Sequence, residues 1–126
     1  MPRHVPDLQG FPPSDLPFSR VVEANGLVFL AGQVGSGPDG NGPVEGGIEA
    51  ETRATLDNVQ RLLEAVGLGL GDVVRVTVYL VDFDEFAAMN AVYREYFPAD
   101  PPARVTVGVT RLASTYRVEM DVTAAR

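Results

Sequence analysis

Two alternating stretches near the end of the chain restrict its fold more than any other feature. In Arg104-Val105-Thr106-Val107-Gly108-Val109 the valines fall on one face, with Arg104, Thr106 and Gly108 on the other. In Tyr116-Arg117-Val118-Glu119-Met120-Asp121-Val122 the apolar face carries Val118, Met120 and Val122, with Arg117, Glu119 and Asp121 opposite. If the two pair as a hairpin across residues 110–115, only a register with Thr106 opposite an odd-numbered residue such as Glu119 keeps the valines together. A one-residue slip would flip a whole set of side chains. That register predicts Arg104, Thr106 and Glu119 within one diagonal of each other, on the order of 5–8 Å. A guanidinium beside a carboxylate, with a hydroxyl between, suits a small carboxylate ligand and the handling of its proton. On pattern alone a cross-strand ion pair, worth about 0.2–1 kcal/mol if exposed, is the plainer reading. Arg117 and Asp121 read as solvated or interface charges.

The preceding chain supplies the rest of a layered fold. Residues 1–16 form a Pro-rich arm, ill suited to helix or central strand. Phe18–Ala24 reads as a strand, Asn25-Gly26 as a type I′ turn, and Leu27–Gln33 as a nearly continuous apolar strand covered on both faces. Gly35–Gly47 is a Gly- and Pro-rich loop without the GKS or GKT tail of a phosphate-binding loop. Ile48–Val66 has the three- and four-residue spacing of an amphipathic helix ended by Gly67, with Glu49 and Arg53 as a solvated pair on it. Val73–Leu80 is a β-branched strand. Asp82 and Glu85 read as the capping residues of a second helix running to Tyr96, with Phe86, Met89, Tyr93 and Phe97 on its buried side. Asn90 lies near that stripe, more simply a structural hydrogen-bond donor than a ligand contact.

This order predicts an α+β two-layer sandwich, a mixed sheet with two helices on one face. The valine-rich faces would pack under the helices, leaving Arg104, Thr106, Glu119 and Asp121 on the other side, where further subunits can bury them. At 126 residues the chain is expected to be one domain, 1–126, able to bury roughly two-thirds of its unfolded surface.

Composition removes whole classes of chemistry. There is no cysteine, hence no thiolate and no disulfide, and one histidine, His4, which rules out a multi-histidine metal site. A formal charge of −7 argues against nucleic acid. No apolar run approaches a membrane span and the start lacks a signal peptide's apolar region, so a soluble, cytoplasmic protein is expected.

Read together, Pro17-Phe18-Ser19, Asn25–Gln33, Glu51-Thr52-Arg53, Asn58, Asp72–Leu80, Phe86, Met89–Tyr93, Tyr96-Phe97, Pro102-Ala103-Arg104 and Val118-Glu119-Met120 resemble the YjgF-like, or reactive intermediate deaminase (Rid), family. The likeness runs over residues 17–123. It implies a chorismate-mutase-like fold assembled as a homotrimeric barrel, with sites in the clefts between subunits. It implies hydrolysis of 2-imino and enamine acids, of the 2-aminoacrylate type, to 2-keto acids and ammonia, with no metal and no organic cofactor. Arg104 would hold the substrate carboxylate, Glu119 would activate water, and Gly32 would offer a backbone group at close range; Asn90, Thr106 and Phe18 would complete the pocket. Two positions depart from the family pattern. Phe18 stands where a tyrosine is usual, so the phenolic donor is missing and an apolar wall remains. Thr106 stands where a cysteine is common, although its backbone carbonyl is retained. These departures keep two alternatives open: a non-catalytic module binding small carboxylates, and a divergent hydrolase of another C=N or amide substrate.

Overall fold

The computed structural model describes residues 2–126; Met1, the first residue of the predicted arm, lies outside them. At Asn25-Gly26 both φ angles are positive, 53° and 79°, as a type I′ turn requires. The turn folds β1 (Val21–Ala24) back on β2 (Leu27–Leu30), with Val21 opposite Leu30 and Ala24 opposite Leu27. Val28 and Leu30 enter the core, whereas Leu27 and Phe29 remain 38% and 42% exposed. The expected continuous, doubly covered strand is therefore corrected: the chain breaks at Ala31-Gly32, resumes as the short β3 (Gln33–Val34), and leaves one face of β2 open. Upstream, the backbones of His4 and Glu23 exchange N–H···O bonds of 2.8 Å, so the arm lies along the outer edge of β1.

Helix α1 (Gly47–Ala65) follows the predicted periodicity and buries Leu56, Val59, Leu62 and Leu63. Gly67, at a φ of 79°, lets the Leu68 N–H donate to the Leu63 carbonyl at 2.8 Å and closes the helix. Strand β4 (Val73–Leu80) then crosses the sheet. Asp82 does cap the next segment, accepting the Asp84 N–H at 2.9 Å, but the segment is a 3-10 turn over Phe83–Glu85, and α2 (Phe86–Tyr96) follows it. Glu85 does not return to the cap because Arg117 engages its carboxylate at 2.9 Å. Arg53, expected to pair with Glu49, instead makes a two-pronged bond to Glu95 at 2.9 and 2.8 Å, tying α1 to α2.

Strands β5 (Ala103–Gly108) and β6 (Val118–Ala125) complete a mixed sheet in the order β1-β2-β6-β4-β5, with β3 also on β6. Every pairing is antiparallel except β4 with β5, which α2 connects as a parallel crossover. The result is the expected α+β two-layer sandwich, chorismate-mutase-like, with the core between the helices and one sheet face.

The predicted hairpin of the last two strands is not formed. Strand β4 lies between them, with Val78 opposite both Thr106 and Met120, and Tyr79 opposite both Val107 and Glu119. Residues opposite each other share a face. Thr106 and Arg104 therefore project to the helix side with Val76 and Val78, and Glu119 projects to the open side with Tyr79 and Val107. The valine face of β5 is the outward one, with Val105 and Val107 at 40% and 37% exposure. In β6 the valine face does pack under the helices: Val118, Met120 and Val122 are buried.

Candidate functional site

The predicted site residues gather in two places rather than one. The first lies under α2 at the edge of the sheet. Arg104 comes from β5, which is paired on one side only, by β4. Phe86, Asn90, Tyr93 and Phe97 recur at three- and four-residue spacing along α2, presenting one stripe to that edge. The guanidinium of Arg104 sits 4.7 Å from the Tyr93 ring centroid and 5.7 Å from that of Phe86, a cation–π seat that fixes the fork while leaving its N–H groups free. No carboxylate pairs with Arg104 among the described residues. Asn90, Tyr93 and Arg104 line a cleft of about 250 Å³. Asn90 Oδ1, Tyr93 Oη and Thr106 Oγ1 are buried and lack hydrogen-bond partners. Burial pushes the Tyr93 hydroxyl up to about 12, so it stays protonated. An unpaired guanidinium with orphaned hydroxyl donors on its side of the sheet, Tyr93 Oη and Thr106 Oγ1, suits an anion with several acceptor lone pairs, such as a carboxylate; Asn90 Oδ1 can only accept and calls for a donor instead.

The second place is on the other side. Glu119 projects from β6 against the break between β2 and β3. A Cβ at Gly32 would stand 3.0 Å from the Glu119 Cδ and collide with Oε2. The missing Cβ leaves room for that carboxylate against the backbone. Burial raises the Glu119 carboxyl above its usual range, and the charge of Asp121 pushes the same way. Asp121 accepts the Tyr79 hydroxyl at 2.9 Å, which raises the Tyr79 phenol in turn. Gly32 also lines a wider cleft of about 510 Å³ with Phe18, whose ring is 60% exposed, and with the Pro-rich arm. Arg20 braces this wall, stacking 5.7 Å from the Phe11 ring and donating to the Pro12 carbonyl at 2.6 Å.

The expected proximity of Arg104 and Glu119 within one chain is therefore corrected. They lie on opposite faces of the sheet, with β4 between their strands. Arg104, Thr106 and Asn90 belong together; Glu119, Gly32 and Phe18 belong together. Tyr93 was read only as a buried helix residue. Its signal was present as a hydroxyl-bearing aromatic three residues after Asn90, in the otherwise apolar stripe of Phe86, Met89 and Phe97. Asn90 was read as a structural donor; its side-chain oxygen, an acceptor, is buried without a partner.

The domain model described as Endoribonuclease L-PSP matches residues 11–126. A RutC family protein of Pyrococcus horikoshii is 44% identical over 108 residues, 86% of each chain. A protein of Dermatophagoides farinae named 2-iminobutanoate/2-iminopropanoate deaminase is 37% identical, over 83% of this chain and 82% of its own. Among solved structures, the Rid-family protein YyfA of Yersinia pestis superimposes with a TM-score of 0.90 at 29% identity, covering 99% of this chain and 100% of that one. The two-layer α+β sandwich is shared with that solved structure. The chain belongs to the YjgF/RutC/Rid family.

Proposed function

We propose that the protein hydrolyses reactive 2-imino and enamine acids to 2-keto acids and ammonia, and that each site is completed by two copies of the chain. The carrying observation is Arg104, carboxylate-free and seated on Tyr93 and Phe86 in a cleft with orphaned polar atoms. Glu119 cannot serve that cleft within the same chain, yet it lies in one row with Tyr79 and the exposed Val107. A neighbouring copy packed on this open face, as in a homotrimeric barrel, brings its own β5 edge and Arg104 toward Glu119. The name of the Dermatophagoides farinae relative supports the same chemistry.

In this reading Arg104 holds the substrate carboxylate with two parallel N–H···O bonds. Water adds to the C2 carbon of the imine. Glu119 takes a proton from that water as the C–O bond forms and returns it to nitrogen. Glu119 next takes the proton of the new C2 hydroxyl and passes it to the amino nitrogen; the C–N bond breaks as the C=O bond forms, ammonia leaves, and the 2-keto acid remains. A raised carboxyl suits a group that must both take and give a proton near neutral pH. No net redox change occurs, so the balance calls for no cofactor. The charge of −7 weighs against an RNA phosphate chain as substrate.

The test generates an imine from an L-amino acid with an amino-acid oxidase and traps it with semicarbazide. The protein is expected to divert imine to keto acid, reducing semicarbazone yield. Arg104→Ala is expected to lose at least tenfold in this activity while keeping its melting temperature within a few degrees. Unchanged activity in that variant contradicts the assignment. Phe18 favours one second reading, a non-catalytic carboxylate-binding module, because it leaves the wider cleft without a phenolic donor. Keto-acid stabilisation of the fold with no imine hydrolysis across several amino acids would select it.

A further inference from the structure

Four buried side-chain polar atoms lack partners among the described residues; two of them, Asn90 Oδ1 and Tyr93 Oη, belong to residues that line the cleft with Arg104, and a third, Thr106 Oγ1, lies on the same face of β5 as Arg104. Tyr93 stands apart from the other two. It is only 6% exposed, and its ring packs 4.8 Å from that of Phe97. An exposed tyrosine can turn its hydroxyl to bulk water; this one is buried at the cleft wall and has no partner within the chain. Phenylalanine would fill the same space without leaving a hydroxyl unpaired, so packing alone gives no reason for the oxygen. The ring face seats the guanidinium, and the residue lines the same cleft as Asn90 and Arg104. A carboxylate has about four lone-pair sites, and a bidentate guanidinium uses two. The remainder call for neutral donors at the cleft wall.

We propose that Tyr93 is a substrate-binding residue whose hydroxyl donates to the ligand carboxylate that Arg104 holds. The ligand class is a small 2-oxo or 2-imino monocarboxylate, of a size to enter a cleft of about 250 Å³. The inference rests on the carboxylate reading of that cleft. It gives one aromatic side chain two duties, a platform for the cation and a donor to the anion.

The experiment compares the native chain, Tyr93→Phe and Arg104→Ala by calorimetric titration with 2-oxobutanoate and by thermal melting with and without it. Tyr93→Phe keeps the ring and removes only the oxygen. The expected result is roughly tenfold weaker binding, the order of one hydrogen bond to a charged group. The free variant should melt at or above the native chain, because an unpaired buried hydroxyl has been removed. A purely structural tyrosine would give the reverse, a lower melting temperature and unchanged affinity. If Arg104→Ala abolishes binding while Tyr93→Phe binds as the native chain does, the Tyr93 assignment is overturned and the carboxylate reading stands. If the native chain does not bind the keto acid, or Arg104→Ala binds it equally, the carboxylate reading falls and this inference with it.

Discussion

The behaviour of Glu119 follows from where one residue type sits. Its carboxyl is raised from its ordinary value of 4.5 by burial first and by Asp121 second. A group of this kind contributes to stability while protonated, fully below its unfolded pKa, and loses that contribution as pH rises through the folded value. Glu119→Gln should therefore melt higher than the native chain at about pH 8 and converge with it near pH 4 (scanning calorimetry at both pH values checks this). Imine hydrolysis should be lost in the same variant. In the native chain it should rise with pH through a value above the usual carboxylate range. Gly32→Ala is a second test at this scale. Its Cβ meets only the far end of the Glu119 side chain, which can swing aside, so stability by denaturant unfolding should change little while activity falls as the carboxylate is displaced.

Among the elements, what local chemistry writes was legible in the sequence. The Asn25-Gly26 turn, the stop at Gly67 and the buried stripe of α1 all depend on neighbours a few residues away. The partner of a strand does not. Alternation in residues 104–109 separates Arg104 from Val105, but it does not say which set faces the helices, because an edge strand can turn its valines outward when something else covers them. Nor does closeness in sequence make β5 and β6 partners: β4, made earlier, takes the place between them, and α2 obliges β5 to run parallel to it. The same long-range logic hid Glu51. It is 3% exposed, accepts the Arg117 N–H at 2.8 Å, and has its carboxyl raised by burial despite that bond. Glu51→Gln retains an acceptor and should cost little, whereas Glu51→Ala strands the Arg117 N–H and should cost about 1–3 kcal/mol by urea unfolding.

At the scale of the molecule, Leu27, Phe29, Val105 and Val107 are exposed on the face opposite the helices. That face also carries Glu119, and in the proposed shared site copies of the chain would cover it. Val107→Asp places a charge on that surface and should shift the protein to a smaller species by light scattering, with its secondary structure kept and imine hydrolysis lost. The sharpest test of a site shared between copies is complementation. Arg104→Ala and Glu119→Gln chains, each inactive alone, are unfolded, mixed in equal amounts and refolded together. Free mixing across an interface to which each copy gives one half should restore about a quarter of native activity. No recovery, from a mixture shown by mass spectrometry to contain mixed assemblies, would contradict the account.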